Sequence, residues 1–164
     1  MADPAITSTL TIRRAGFEDV ERITELDQSL FPPGVCFDLP TFYFYVTDPH
    51  AVTMVAECEG DFAGFVILAV ETPGQGTIVS IDVAPAMQRR GVGARLMEEA
   101  EKAAARMGLA GVTLQVSVNN PDARRFYERR GYRVTGTLPG FYNDVEDALE
   151  MTLPLAARGK TRRA

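Results

Sequence analysis

The order of the predicted strands and helices indicates an α/β fold in which one sheet carries helices on both faces. Three observations support this fold class. Strands open the chain, at 10–14 and as a hairpin over 52–70. An alternation of strand and helix follows from 77 to 130. Two further strands are predicted after Tyr132, so strands and helices contribute throughout the chain.

The first half of the chain begins with a strand of alternating side chains at 10–14. Apolar residues then recur at helical spacing over 17–30. The proline-rich segment 31–34 ends this helix, because proline neither donates a backbone hydrogen bond nor fits the helix interior. The aromatic segment 41–47 is compatible with a helix or a loop. Two apolar strands flanking Glu59-Gly60-Asp61 form the hairpin.

The second half alternates strand and helix before it closes with two strands. Apolar residues line one face of its longer helix, and Gly108 is a stop signal for that helix. The predicted elements, in chain order, are a strand at 77–83, a helix at 91–107, a strand at 111–118, a helix at 121–130, and strands at 132–137 and 147–153.

The length of 164 residues suits one self-sufficient domain, expected over 10–155. Residues 1–9 are expected to be a flexible segment and residues 156–164 a basic, disordered tail. No apolar run approaches the roughly 20 residues that span a bilayer. The first residues also lack a basic patch followed by an apolar stretch. We therefore expect a cytoplasmic protein without membrane contact.

Charge and cysteine usage exclude several function classes. A net charge of −5 argues against binding to nucleic acid, although basic residues cluster locally, for example at Arg89-Arg90. Such clusters suit a small polyanionic ligand. Cys36 and Cys58 lack CxxC spacing and are expected to be buried, reduced thiols. His50 lies in a predicted turn and is expected to be a solvated loop residue, so we expect no metal site.

Gln88–Gly93 lies between a strand and a helix and is typical of a phosphate-binding turn. The unpaired N–H groups of a first helical turn and the helix dipole attract anions. Glycines let the backbone approach a phosphate closely, and Arg89 and Arg90 supply charge-assisted hydrogen bonds. A dinucleotide fingerprint would need glycine at Leu96, and the Gly-Lys-Ser/Thr run of a P-loop is missing.

Two motifs together resemble the GNAT superfamily of N-acetyltransferases. The first is Gln88–Gly93, which fits the pattern Gln/Arg-x-x-Gly-x-Gly/Ala, and the second is Asn120-x-x-Ala-x-x-Phe-Tyr-x-x-x-Gly-Tyr132. The resemblance covers about 10–155. Within the superfamily, Phe141–Met151 is similar to the Tyr-Tyr-x-x-Gly-Glu-Asp-Ala-x-x-Met segment of the bacterial ribosomal-protein alanine acetyltransferases (RimI) and related protein N-terminal acetyltransferases. Phe141 and Val145 depart from that segment, where Tyr and Gly are usual.

The resemblance implies the acyl-CoA N-acyltransferase fold, a central, mixed and mostly antiparallel sheet flanked by helices. It also implies acetyl-CoA as the acetyl donor. The backbone at Ile81–Val83 would pair with the pantetheine arm like an added strand. The implied cofactor-binding residues are Ile81, Asp82, Val83, Gln88, Arg89, Arg90, Gly91, Val92, Gly93, Ala94, Asn120, Ala123 and Tyr127.

The catalytic groups follow from the chemistry of acetyl transfer to an amine. The amine must lose a proton, and the departing thiolate must gain one. The resemblance implies that Tyr127 protonates the thiolate. The usual glutamate base is replaced by Gln115, which can orient a water or the amine but cannot accept a proton. Asp82 could act through water, and Glu146 and Asp147 are further candidates.

Three functional hypotheses remain at this point. The first is acetylation of protein N-terminal α-amines, with Phe31 and Phe42 on one wall of a peptide groove and Phe141 and Tyr142 on the other. The second is acetylation of a small-molecule amine, since Gln115 and the two departures in the closing segment leave room for it. The third is a non-catalytic acetyl-CoA-binding module. Either a monomer or a homodimer is compatible with the sequence.

Overall fold

A computed structural model describes residues 9–156, in which seven strands form a single sheet in the order β1-β2-β3-β4-β5-β7-β6. The segments expected to be flexible at 1–9 and 156–164 lie outside the described residues, apart from Thr9 and Ala156. The strands are β1 (Leu10–Arg14), β2 (Ala51–Cys58), β3 (Asp61–Thr72), β4 (Gln75–Val83), β5 (Gly111–Ser117), β6 (Arg133–Tyr142) and β7 (Glu146–Pro154).

Pairing within the sheet is mixed. β1–β2, β2–β3, β5–β7 and β6–β7 are antiparallel pairs, whereas β4 and β5 run parallel at Gln75–Thr77. A parallel pair needs a crossover connection, and the 15-residue helix Val92–Arg106 supplies it between β4 and β5. The predicted fold class, a mixed and mostly antiparallel sheet flanked by helices, is confirmed.

Four α-helices accompany the sheet within residues 9–156: α1 (Val20–Leu30), α2 (Leu39–Thr47), α3 (Val92–Arg106) and α4 (Pro121–Arg129). Short 3-10 helices at Phe17–Asp19 and Pro85–Met87 precede α1 and α3. The aromatic segment that the sequence left open is thus helical. Asp38 explains why, because its carboxylate accepts a hydrogen bond from the Thr41 amide at 3.0 Å and caps the first turn. No helix of the described chain is both long and apolar enough to cross a membrane.

The described chain contains two compact units. The first comprises the chain up to Ala69 together with Val79–Ala103, and the second comprises Val70–Ile78 and the chain from Ala104 onward. β3 and β4 each contribute residues to both units. The expectation of a single domain over 10–155 remains a prediction.

The first unit has a core between α1, α2 and strands β2 and β3. The fully buried residues of this core are Val20, Ile23, Phe42, Val55, Phe65 and Ile67. Phe42 contacts Phe65 edge-on, with ring centroids 5.6 Å apart. Arg13 and Arg22 ion-pair with the fully buried Asp19 at 2.8 and 2.7 Å. These cations hold the pKa of Asp19 well below its usual range, with the Arg13 hydrogen bond as the main cause.

The second unit buries alternate residues of β5 and parts of β7 and the loop after α4. Its buried side chains include Val112, Leu114, Val116, Tyr132, Ala148 and Met151. β6 extends to Tyr142, well beyond the predicted end at Thr137. Pro139 and Gly140 weaken the strand signal there, but β6 is an edge strand, where a missing N–H is tolerated. Asn143 and Asp144 both have positive φ, which gives the tight turn into β7.

Candidate active site

The predicted phosphate turn has the backbone that anion binding needs. Arg89 and Gly91 have φ of +63° and +83°, and α3 begins directly after Gly91. The first hydrogen bond of α3 runs from Arg95 N to Gly91 O at 3.1 Å, so the amides of the preceding helical residues have no helical acceptor. Their N–H groups and the helix dipole together favour a negatively charged ligand.

The side chains of the turn have separate tasks. Gln88 donates from Nε2 to the carbonyl oxygen of Val83 at 3.1 Å, which ties the turn to the end of β4. Arg89 and Arg90 are exposed and enter no ion pair within residues 9–156. Two unpaired cations beside free amides suit a phosphate or pyrophosphate group.

Asp82 lies on β4 just before this turn and is buried, with 2% of its surface exposed. Neither of its side-chain oxygens has a well-directed hydrogen-bond donor in the described structure. The polar side chains that act on it are the Asp27 carboxyl on α1 and the Ser80 hydroxyl. Burial, and then Asp27, raise the pKa of Asp82 to about 8, although Ser80 favours the ionised form. A carboxyl group of this kind can exchange a proton near neutral pH.

The backbone around Asp82 is closely packed on β3. A Cβ added at Gly64 would lie 2.4 Å from the Asp82 carbonyl oxygen, so glycine is required for this approach of the two strands. Beside this contact, the Ala84 amide donates a hydrogen bond to the Ala63 carbonyl oxygen at 2.8 Å. Ile81 and Val83 are half-buried on either side of Asp82.

In the second unit, Asn120 caps the start of α4. Its Oδ1 accepts a hydrogen bond from the Ala123 amide at 3.1 Å, which leaves the Nδ2 donor without a partner among the described residues. Tyr127 lies about two turns after Asn120 along α4 and is half-buried. Its ring contacts Phe126 and Tyr132 edge-on, with centroids 5.1 and 5.8 Å away. These contacts fix the ring, which is a requirement for a positioned proton donor.

Gln115 lies on β5 opposite Glu150 of β7 and is half-buried. Its neighbours Leu114 and Val116 point to the opposite face and are buried. An amide at this position can orient a water molecule by hydrogen bonding, but it cannot take a proton.

The tip of the β6–β7 hairpin is anchored by acidic residues. Glu146 accepts a hydrogen bond from Asn119 Nδ2 at 3.2 Å, and Asp147 Oδ1 accepts one from the Gly140 amide at 2.9 Å. The Ser117 hydroxyl and then Asn119 lower the pKa of Glu146. Burial, and then Glu146, raise the pKa of Tyr142. These acids therefore hold the hairpin, which weakens the case for either as a base.

The aromatic residues predicted for a peptide groove differ in exposure. Phe31 is 39% exposed and Phe141 is 48% exposed, so both can meet a ligand. Tyr142 is half-buried and contacts Phe141 edge-on, with centroids 4.9 Å apart. Phe42 is fully buried in the core of the first unit, and this burial corrects its assignment to a groove wall.

The remaining sequence candidates are peripheral. His50 lies exposed in a turn, as predicted. Cys36 and Cys58 are both free thiols, but only Cys58 is buried and Cys36 is partly exposed. Within residues 9–156, no three His, Cys, Asp or Glu side chains are grouped in a way that could hold a metal ion.

Sequence reasoning missed Asp27, the carboxyl that faces Asp82, as well as the hairpin contacts of Ser117 and Asn119. Asp27 was not recognised from the sequence as a site residue, because its helical neighbours on α1 are apolar core residues. A carboxylate among core positions of an amphipathic helix was the one available signal.

A profile of the "Acetyltransferase (GNAT) family" matches residues 19–132, a region that contains the phosphate turn, Asp82, Asn120 and Tyr127. The chain belongs to this acetyltransferase family. It is accordingly an N-acetyltransferase, as the two motifs predicted. An N-alpha-acetyltransferase of Sulfurisphaera tokodaii is 29% identical to it over 159 residues, covering 88% of this chain and 92% of the relative.

Solved structures show the same fold for this acetyltransferase. The ribosomal-protein-S18-alanine N-acetyltransferase from Escherichia coli superposes with a TM-score of 0.82 at 24% identity, covering 94% of this chain and 99% of that one. Arabidopsis thaliana NAA60 in complex with acetyl-CoA gives a TM-score of 0.79 at 22% identity, covering 90% and 99%. The resemblance to the GNAT superfamily is confirmed.

Proposed function

We propose that this acetyltransferase moves an acetyl group from acetyl-CoA to the α-amine of a protein N-terminus. The observation that carries the proposal is the phosphate turn, in which Gly91 and the start of α3 present free amides beside two unpaired arginines. The protein N-terminus as acceptor is supported by the relative from Sulfurisphaera tokodaii, which is named an N-alpha-acetyltransferase.

We assign the pyrophosphate of the coenzyme to the turn and the start of α3, and the pantetheine arm to the backbone of Ile81–Val83. Asn120 would donate its free Nδ2 to the pantetheine, since its Oδ1 is engaged as a helix cap. The bound coenzyme supplies the acetyl group as a thioester. The residues assigned to the cofactor remain those predicted from the sequence: Ile81, Asp82, Val83, Gln88, Arg89, Arg90, Gly91, Val92, Gly93, Ala94, Asn120, Ala123 and Tyr127. For Gln88 the assignment is indirect, because its amide holds the turn in shape.

The proposed catalytic roles rest on residue chemistry. Tyr127 has a hydroxyl that can protonate a thiolate, and ring contacts hold its side chain. Asp82 is the proposed proton acceptor, because its pKa is raised to about 8, close to that of an α-amine. Gln115 would orient the amine or a water molecule through its amide.

We propose that the peptide contacts Phe31, Phe141 and Tyr142. Aromatic rings that are partly exposed provide apolar contact area at low entropic cost, and the anchored hairpin holds two of them. Phe42 is left out because it is part of the core. We also propose that the enzyme works in the cytoplasm, where its two free thiols would stay reduced, as a monomer or a homodimer.

A thiol-release assay tests the acceptor class. Purified protein and acetyl-CoA are incubated with peptides that carry a free α-amine, with the same peptides acetylated at the α-amine but carrying lysine, and with small amines such as polyamines. We expect release with free α-amine peptides and little release with the other two sets. Release with small amines alone would favour the second hypothesis, and acetyl-CoA binding without any release would favour a binding module.

A further inference from the structure

Two carboxyl groups that are far apart in sequence meet inside the first unit. Asp27 of α1 and Asp82 of β4 each have 2% of their surface exposed. Oδ2 of Asp27 accepts a hydrogen bond from the Phe37 amide at 2.7 Å. The carboxyl group of Asp82 faces that of Asp27. Neither side-chain oxygen of Asp82 receives a well-directed hydrogen bond from the described residues. A buried acid in this state needs a proton or a ligand.

The surroundings of the pair explain its charge state. Among the described residues, no cation forms an ion pair with either carboxyl group. The groups that act on Asp82 are Asp27 from α1 and the Ser80 hydroxyl from its own strand, while Gly64 of the adjacent β3 brings no side chain. Burial, and then the adjacent Asp27 carboxyl, disfavour the ionised form of Asp82 and so raise its pKa.

The same unit contains a buried acid of the opposite kind. Asp19 is fully buried, but Arg13 and Arg22 contact both of its oxygens, so it remains ionised and serves the fold. The Asp27–Asp82 pair has no such compensation, and a pair of apolar residues would fill the space at less cost. The position of Asp82 suggests a role, since its neighbours Ile81 and Val83 are assigned to the pantetheine arm and the phosphate turn follows on the same strand end.

We propose that the ionised Asp82 carboxylate receives the proton released by the acceptor amine and that Asp27, whose carboxyl lies against it, is the positioning residue. The proposal rests on the acetyl transfer proposed above. One proton passes from the ammonium group through a water molecule to the ionised Asp82 carboxylate. The neutral nitrogen then forms the C–N bond as the C–S bond breaks. The second N–H proton ends on the sulfur, and Asp82 returns its proton to solvent.

Asp27→Asn tests the role of the pair through a pH profile. The asparagine carbonyl can still accept from the Phe37 amide, and its amide can donate to Asp82, so the fold is preserved and Asp82 becomes more acidic. We expect the acidic limb of the kcat/KM profile to move to lower pH by about one unit, the scale of coupling in such pairs. Glu25→Gln, an exposed change on the same helix, is the control and should leave the profile unchanged. The acceptor amine titrates identically with every variant.

A profile of Asp27→Asn that superposes on the wild type would overturn the proposal. The proposal would also be overturned if Asp27→Asn changed the pH dependence of thermal unfolding but left the pH profile of activity unchanged. In that case the contact between Asp27 and Asp82 would serve only the fold. Carbon-13 NMR of aspartate carboxyl groups provides a readout that needs no substrate. One resonance should titrate near pH 8 in the wild type, disappear in Asp82→Asn, and move to lower pH in Asp27→Asn. If no carboxyl titrates above about pH 6, the role of Asp82 as the proton acceptor is refuted. An inactive wild type would refute the proposed function instead.

Discussion

At the residue scale, two buried acids of the first unit differ in their partners and in the direction of their pKa shifts. Asp19 is neutralised by Arg13 and Arg22, which lower its pKa, so its charge stabilises the folded state. Asp82 has no such cation among the described residues: burial, and then the facing Asp27 carboxyl, raise its pKa to about 8. A protein that only needed to fill this space would gain from apolar residues, because burying an uncompensated polar group costs free energy. The contrast points to a functional demand on Asp82 and Asp27.

This contrast gives a prediction on stability and pH. The pKa of Asp82 is raised from 3.8 to about 8 on folding, so its contribution to stability is fully present below pH 4 and is lost as the pH rises through 8. Asp82→Asn removes this dependence. Between pH 5 and 9, the wild type should therefore lose more stability than the variant, by at least about 1 kcal/mol, the equivalent of one pKa unit. Urea unfolding at both pH values measures the difference.

Asp19→Asn is the matched control, and its pH dependence has the opposite sign. The pKa of Asp19 is lowered on folding, so its contribution is present above the unfolded pKa and is lost as the pH falls below about 4. This variant should be destabilised at neutral pH and approach the wild type in acid. Parallel curves for Asp82→Asn and the wild type from pH 5 to 9 would contradict the assignment of a raised pKa to Asp82.

Tyr127 supports a second prediction at this scale. Tyr127→Phe removes the hydroxyl but keeps the ring contacts with Phe126 and Tyr132. Turnover should fall about 100-fold, the lower range for loss of a general acid, while the Kd for acetyl-CoA changes little. Tyr43→Phe, which removes a hydroxyl from α2, is the control. Steady-state kinetics and calorimetry separate the two quantities, and unchanged turnover would remove Tyr127 as the acid.

At the element scale, the phosphate turn depends on backbone shape. Gly91 has φ of +83°, and a Cβ there would meet nothing within 4 Å, so the difficulty of a larger residue is conformational and not steric. Gly91→Ala should cost about 1–2 kcal/mol of stability and weaken acetyl-CoA binding, because the amides at the start of α3 lose their alignment. Thermal unfolding and calorimetric titration measure these effects.

The control for this variant is Gly108→Ala. Gly108 ends α3 with φ of +75° and has equally open space around its Cα. The two variants should therefore lose similar stability, but only Gly91→Ala should lose coenzyme affinity. Equal affinity losses in both would mean that general destabilisation, and not the turn, weakens binding.

Elements with a clear period were predictable from sequence, and those without one were not. The bounds of β1 match, and α3 and β5 differ by a residue or so, because alternation and helical spacing are local signals. α2 has no clear hydrophobic period in the sequence, since its residues are aromatic on several sides. The structure shows that Phe42 faces the core, where it contacts Phe65. The full length of β6 was hidden by Pro139 and Gly140, which are acceptable only because the strand lies at the sheet edge.

At the scale of the whole molecule, tertiary relations set the limit of sequence reasoning. The motifs located the turn and α4, because each motif is a short continuous segment with its own local structure. The contact between Asp27 and Asp82 joins a helix to a strand much later in the chain, and no local pattern encodes it. The insertion of β7 between β5 and β6 is equally non-local. Function could therefore be predicted to the level of the coenzyme, and the proton path could not.

The charge of the whole molecule leads to the last prediction. The chain carries a net charge of −5 and yet is proposed to bind an anionic coenzyme, so attraction must come from the turn and its two exposed arginines. Exposed charge contacts are worth up to about 1 kcal/mol each and are screened by salt. Raising the ionic strength from low salt to about 0.5 M should weaken acetyl-CoA binding by roughly tenfold. S-acetylpantetheine, which lacks the pyrophosphate, should bind more weakly but with little salt dependence. Equal salt dependence of the two ligands in calorimetric titrations would place the phosphates outside the turn.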